Sequence, residues 1–295
     1  MPGRVDLHIH SSYSSDGDVP FRRIVRLASE KEMAAIAITD HDSTSAYPEA
    51  IEQGKRDGVE VIPSIELTTL YDGREFHLLV PFVDWRSPLL GRLIERVIQG
   101  RIHEARERVE RLIGLGYDLT WEEVRDEAAP FAPLGVNIAQ VILRKAAETG
   151  ANAVKLQPYL GEGRTNPAPY AFYRDHFLEG KPAFVPRRSI DLLEVLEGIP
   201  ETGGVPVLAH PGAEFQRVQK EDLLVLKARG LQGLEVYTSY HDPEQTRSYL
   251  RLARELGLIP TAGSDFHGGI KPHIPFGFLR DGDYAMVEAL RLRRP

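Results

Sequence analysis

Residues 35–42 read Ala-Ile-Ala-Ile-Thr-Asp-His-Asp. Short apolar runs rich in β-branched residues mark buried strands, and here the strand Ala35–Thr39 gives way at once to Asp40, His41 and Asp42. Residues 5–10, Val-Asp-Leu-His-Ile-His, have the same design, with a strand at Val5–Ile9 and His8 and His10 at its end. Further strands are expected at Val59–Leu67, Glu75–Phe82, Val205–Ala209, Leu234–Tyr237 and Ile259–Gly263, with Asp72-Gly73 turning the chain between the first two of these. Helical patterns at Pro20–Met33, Ser45–Arg56, Ser189–Glu197, Glu221–Ala228 and Pro243–Leu256 fall between most of them. Strand–helix alternation at this spacing predicts an α/β fold with a parallel sheet, closed as a barrel or open.

The middle of the chain departs from this rhythm. Residues 93–125 read as long, charged helix, 135–149 as another helix, and 151–170, with its Pro, Gly and Asn residues, as a loop. The chain therefore divides into a barrel-forming part, 1–92 and 181–295, and a mainly helical insertion, 93–180, expected to act as a substrate cap.

The polar residues at strand ends carry the chemistry. Side chains two apart on a strand share a face, so His8 and His10 can address one ion. His41 ends the second strand, Glu66 the third, His77 lies in the fourth, His210 follows Ala209, and Asp265 and His267 alternate after the last strand. In parallel α/β folds the carboxyl ends of the strands form the functional rim. Six of the ten histidines belong to this set. A mixture of imidazole and carboxylate suits Mn, Fe or Zn better than Mg or Ca. A carboxylate such as Glu66 can bridge two ions, and two ions a few ångströms apart activate a water and clamp a phosphate.

Composition excludes several classes. The 295-residue chain has no cysteine, which removes disulfides, thiolate nucleophiles and cysteine-ligated metals. A net charge of −7 gives no global field for nucleic acid, so stable duplex DNA binding is not expected. No apolar run reaches the length of a membrane span and the first residues lack a signal sequence, so the expected location is cytoplasmic, with no membrane partner.

These residues resemble the PHP family, the polymerase and histidinol phosphatase domain. The resemblance rests on HIHSSYSSDG from His8 to Gly17, ITDHD from Ile38 to Asp42, Glu66, the His77 strand, LAHPG from Leu208 to Gly212 and GSDFH from Gly263 to His267, in family order. It implies a distorted (β/α)7 barrel with two or three divalent metals, Mn2+ foremost and Zn2+ or Fe2+ as alternatives. It implies a first metal on His8, His10, Glu66 and Asp265, a second on Glu66, His77 and His210, and a third on Asp16, His41 and His267. The branch most similar to this chain consists of stand-alone phosphoesterases. Hydrolysis of a phosphomonoester by a hydroxide held between metals and oriented by Glu66 is therefore expected, on a nucleoside 3′,5′-bisphosphate or an RNA 5′ end. The alternatives are histidinol phosphate or another small phosphomonoester as substrate, and a non-catalytic, metal-stabilised module. The TDHD and SDFH motifs disfavour an amidohydrolase.

Further residues are expected from the same resemblance. His241 would contact phosphate or protonate the leaving group, and Arg101 and Arg187 would hold substrate, with Arg106 and Arg188 as weaker candidates. The Arg-x-His stretch of relatives is replaced here by Gly135-Val136-Asn137. Asp6, Asp40 and Asp42 are read as acids that hydrogen-bond histidine N–H groups and so orient the ligands, with a turn or helix-cap role as the alternative for Asp42. His103, His176 and His273 are read as ordinary histidines, and Trp85 and Trp121 as packing residues.

Overall fold

The computed structural model describes residues 3–159, 168–216, 218–279 and 281–295. Its strands are β1 (Arg4–Ile9), β2 (Met33–Ile38), β3 (Glu60–Pro63), β4 (Glu66–Tyr71), β5 (Arg74–Leu79), β6 (Ile190–Asp191), β7 (Val207–Leu208), β8 (Gly233–Thr238) and β9 (Ile259–Gly263). They form a three-stranded sheet in the order β1-β2-β3 and a six-stranded sheet in the order β6-β4-β5-β7-β8-β9. The α/β class is as the sequence implied, but the larger sheet is mixed: β5 runs antiparallel to both β4 and β7. Single bridges, Ile9 to Phe266 and His41 to Glu66, tie the two sheets together.

The run Val59–Leu67, expected as one strand, breaks at Ser64-Ile65. β3 pairs parallel with β2, whereas Glu66 opens β4 and so begins a strand rather than ending one. The crossing is hydrogen-bonded: Asp42 N–H donates to Glu66 O at 2.9 Å and Val80 N–H to Ile65 O at 2.9 Å. The Asp72-Gly73 turn then returns the chain through β5, with both residues in the left-handed region at φ 49° and 71°.

The apolar faces explain the layers. Helix Phe21–Glu30 buries Phe21, Ile24, Val25 and Ala28 in one cluster with Ile36 and Ile38 of β2. Helix Pro243–Leu256 starts at Asp242, whose carboxylate accepts from the N–H groups of Glu244 and Gln245 and so satisfies orphan donors of the first turn. A C-terminal helix, Tyr284–Arg291, was not expected; Asp283 caps it, and Val287 and Leu290 pack with Val5, Ile62 and Val207.

Backbone contacts divide the chain into two compact units, Met1–Val97 with Ile190–Pro295, and Ile98–Ser189. The second is helical. Helix Pro88–Gly114 runs into it, followed by Trp121–Ala128 and Gly135–Thr149. The helical run expected over 93–125 is therefore interrupted, with Gly116 in the left-handed region at φ 76°. The expected loop 151–170 is partly helical, at Ala153–Leu156 and from Ala168 into a helix ending at Phe177. Pro169 misleads the sequence reading because proline is tolerated in a first helical turn. Residues 160–167 of that stretch lie outside the described residues. The unit has its own core of Val109, Leu112, Val124, Ile138, Ile142, Phe172 and Phe177. No helix among the described residues is long and apolar enough to cross a membrane.

Tyr47 is a buried staple under the site. Its hydroxyl lies 2.8 Å from Ile38 O and 3.0 Å from Ile62 O and accepts from Ser64 N–H at 3.1 Å, holding the ends of β2 and β3 together. Tyr47→Phe strands these buried groups and is expected to lower the unfolding free energy by about 1–3 kcal/mol, read from the denaturant midpoint at unchanged m-value.

Candidate metal centre

The break before β4 and the ends of β1, β2 and β9 bring the polar strand-end residues to one place. Four donor atoms lie at its centre. His8 Nε2 and His10 Nε2 are 3.1 Å apart. Each lies 3.1 Å from Glu66 Oε2, and they lie 3.1 and 3.2 Å from Asp265 Oδ1. A tetrahedral shell with bonds of about 2.0 Å has edges of about 3.3 Å, so these spacings fit one small divalent cation.

The other oxygen of Glu66 serves a second group. Oε1 lies 3.0 Å from His77 Nδ1 and 3.3 Å from His210 Nε2. A third group consists of His10, Asp16, His41 and His267. There Asp16 Oδ2 lies 3.2 Å from His267 Nε2 and 3.5 Å from His41 Nε2. His41 Nδ1 stands 3.3 Å from Glu66 Oε2, so this ring joins the third group to the first. His41 Nδ1 and His77 Nδ1 are buried without a hydrogen-bond partner. Buried polar atoms are rarely left unpaired, and imidazole nitrogens aimed at shared carboxylates are what a cation would satisfy. The donor set therefore fits divalent metal.

Electrostatics agree. Burial opposes charge on Glu66, yet His41, His8 and His77 hold its carboxyl well below the usual range. Burial likewise opposes charge on Asp265, and Lys271, His267 and His8 overcome it. Against the penalty of burial, carboxylates also raise the imidazoles: His8 is held well above its ordinary value, His10 rises to about 9 and His77 to about 10. Without metal, protons on these rings supply the positive charge that the carboxylates require.

A second layer fixes the rings. His8 Nδ1 donates to Glu235 Oε1 at 3.0 Å, which turns Nε2 toward the cluster, and Glu235 Oε2 accepts from His210 N–H at 2.7 Å. Glu235 is fully buried on β8. Its space exists because residue 263 is glycine: a Cβ there would stand 2.1 Å from Glu235 Oε1 and 2.2 Å from His8 Cβ. His267 Nδ1 donates to Asp265 O at 2.7 Å, and the Gln216 amide lies 2.6 Å from His210 Nδ1. Ser14 Oγ reaches both His10 Nδ1 and Asp16 Oδ1. His210 and Asp265 both have positive φ, 23° and 57°, a strained state that persists where the surroundings over-determine it.

The hydrogen bonds of the three acids expected to hold histidine N–H groups run here to backbone N–H and hydroxyl groups beside the ligands. Asp6 accepts from Ser264 N–H and His8 N–H, Asp40 from Ser11 N–H and Oγ–H, and Asp42 from Thr68 N–H and Oγ1–H. Burial pushes Asp6 and Asp40 up to about 6. Asp18, two residues beyond Asp16, accepts from Gly269 N–H instead of facing the donors.

His241 has no ring nitrogen to spare. Nδ1 donates to Val236 O and Nε2 accepts from Gly212 N–H, both at 2.9 Å. It thus fastens the loop after His210, which corrects the expectation of a phosphate contact or leaving-group acid. Sequence reading also missed Glu235, Lys271 and Tyr240. Lys271 Nζ lies 2.6 Å from Asp265 Oδ2 and 3.0 Å from Tyr240 Oη. The available signal for Glu235 was one carboxylate inside an otherwise apolar strand.

In the helical unit, Gly135 is a packing position: a Cβ would meet the Tyr173 ring at 2.6 Å. Position 135 therefore has no room for a side chain. Asn137 caps its helix through Leu134 N–H. Arg187 reaches Tyr173 Oη at 3.2 Å, Arg188 pairs with Glu107, and Arg106 stacks on Trp121 at 4.5 Å. Arg101 lies half-buried on helix Pro88–Gly114. His103 pairs with Glu107 on an exposed helix face, His176 packs on Phe172, His273 is exposed, and Trp85 lies beside Tyr47.

Two outcomes follow for metal binding. Carboxylates hold His8, His10 and His77 above their ordinary imidazole values in the metal-free protein, and a ligating imidazole must be neutral. Mn2+ binding should therefore release protons, and affinity should rise with pH until about 9–10; calorimetry in buffers of different ionisation enthalpy measures both. Glu235→Ala removes the acceptor of His8 Nδ1 and is expected to weaken Mn2+ binding about 10–100-fold, read by the same titration.

Comparison with known proteins agrees with this geometry. The PHP domain model matches residues 6–127. A phosphoribosyl 1,2-cyclic phosphate 1,2-diphosphodiesterase of Eggerthella lenta is 30% identical over 277 residues, covering 92% of this chain and 97% of the relative. A 3′,5′-nucleoside bisphosphate phosphatase of Chromobacterium violaceum is 27% identical, covering 89% and 87%. The 5′-3′ exoribonuclease Rnm of Salmonella typhimurium is also 27% identical, covering 89% and 84%. A crystal structure from Bifidobacterium adolescentis, assigned as a metal-dependent phosphoesterase, superposes with a TM-score of 0.78 at 25% identity, covering 100% of this chain and 98% of that one. The chain belongs to the PHP family, and within it to the metal-dependent phosphoesterases.

Proposed function

We propose that this phosphoesterase hydrolyses a phosphomonoester of a small nucleotide, a nucleoside 3′,5′-bisphosphate or an RNA 5′ end, with Mn2+ as its metal. The observation that carries the reading is the division of Glu66, with Oε2 facing His8, His10 and Asp265 and Oε1 facing His77 and His210. His8, His10, Glu66 and Asp265 would hold one cation, Glu66, His77 and His210 a second, and Asp16, His41 and His267 a third. Bound divalent cations supply Lewis acidity, polarising phosphoryl oxygens and making water a competent nucleophile near neutral pH.

The protein's own part is positioning. Glu66 sets the spacing of the first two groups with one rigid carboxylate. Glu235 and the Asp265 carbonyl turn His8 and His267 so that their Nε2 atoms face inward. His8, His10, Glu66 and Asp265 are buried. Arg101 and Arg187 are proposed contacts for the rest of the substrate. The relatives named for a nucleoside bisphosphate and for RNA support this substrate class.

A second reading, a small phosphorylated sugar, is favoured by the Eggerthella lenta relative. A panel of adenosine 3′,5′-bisphosphate, a cyclic ribose phosphate and histidinol phosphate separates the readings by kcat/KM. Chelation should abolish hydrolysis and Mn2+ should restore it. Single turnover in heavy-oxygen water should place one label in the released phosphate, showing attack at phosphorus. Glu66→Gln should lower kcat/KM on the order of 10³-fold with the circular dichroism unchanged; wild-type rates in this variant would remove Glu66 from the chemistry.

A further inference from the structure

The loop after His210, from Pro211 to Gln216, displays one apolar ring. Phe215 is 45% exposed. Its ring centroid lies 5.2 Å from that of His77 and 5.5 Å from that of His210, so it stands beside the second donor group. The residue next to it, Gln216, is fully buried. The Gln216 side-chain amide reaches His210 Nδ1 at 2.6 Å and Ala209 O at 3.3 Å, and Arg74 donates to the Gln216 backbone carbonyl at 3.2 Å. Ala213 N–H donates to His210 O, Gln216 N–H to Ala213 O, and Val218 N–H to Pro211 O. The backbone on both sides of Phe215 is thus locked, and the ring is held at the donors without being buried.

What sets Phe215 apart from the other exposed apolar side chains is its place beside the donor rings of His77 and His210. On the side chains described for this loop, an occupant of that place is flat and apolar and carries a phosphate within reach of His77 and His210. A nucleobase meets this description: it stacks on an aromatic ring and tolerates any sequence, because every base has a π-face. A bare sugar phosphate has no face to offer. We infer that Phe215 is a specificity-determining platform that stacks the base of a nucleoside phosphate beside the second metal position. This rests on the phosphoesterase reading above and narrows its substrate to base-bearing phosphates.

The test is calorimetric binding of AMP and of ribose 5-phosphate to the full-length, Mn2+-loaded protein. Wild type should bind AMP about tenfold more tightly than ribose 5-phosphate. Phe215→Ala should erase that preference by weakening AMP alone, and Phe215→Trp should keep it. Equal affinity of wild type for the two ligands overturns the platform, as does a Phe215→Ala protein that loses both ligands alike while Phe215→Trp loses them too. The two readings fail separately. A wild type that hydrolyses phosphomonoesters yet prefers ribose 5-phosphate sinks the platform alone. A Phe215-dependent AMP preference in a protein that hydrolyses none supports the platform and sinks the hydrolytic reading.

Discussion

One buried carboxylate organises this molecule. Glu66 has no exposed surface, and an isolated charge there would be very costly. It stays ionised because imidazoles approach both of its oxygens, and they come from four parts of the chain: the end of β1, the end of β2, β5 and the loop after β7. The break between β3 and β4 and the reversal into β5 follow from the need to bring this residue and His77 inward together. Satisfying Glu66 therefore constrains strand order as much as it constrains chemistry.

The same constraint explains what the sequence made legible. His8 with His10, and Asp265 with His267, are two-residue repeats at strand ends, and a period of two needs no tertiary information to place both side chains on one face. Helices Gly135–Thr149 and Pro243–Leu256 were readable to the residue because Gly150 and Gly257 end them in the left-handed region. Strand direction was less readable. Val59–Leu67 carries apolar residues on both sides of Ser64, and the local mark of the crossing to the other sheet is Pro63 just before it. Proline obscured helix Ala168–Phe177, since a first-turn proline and a loop proline look alike.

The hidden residues share a cause. Glu235 acts on His8, a ligand far away in sequence, and Lys271 on Asp265 across an irregular turn of six residues. Their significance lies in who faces them, which pattern alone does not encode. Gly263 shows the reverse: as part of GSDFH it was visible, but its reason, the space for Glu235 against His8, needed coordinates. His241 shows that a histidine near the site can be wholly spent on backbone hydrogen bonds.

With Phe215 as the proposed base platform and His210 as a proposed metal ligand, the loop after β7 links metal binding to substrate choice. His241 and Gln216 hold it from opposite ends, and Gln216 touches His210 while Phe215 is displayed one residue earlier. Neither function can be altered freely: a change that shifts Gln216 moves a ligand ring, and a shift of His210 moves the platform by the same rigid body. A packed loop transmits such displacements because interiors are close-packed and do not yield gradually. Substrate range in this chain is therefore expected to vary through the identity of residue 215 on a fixed backbone, since the backbone itself is committed to the metal centre.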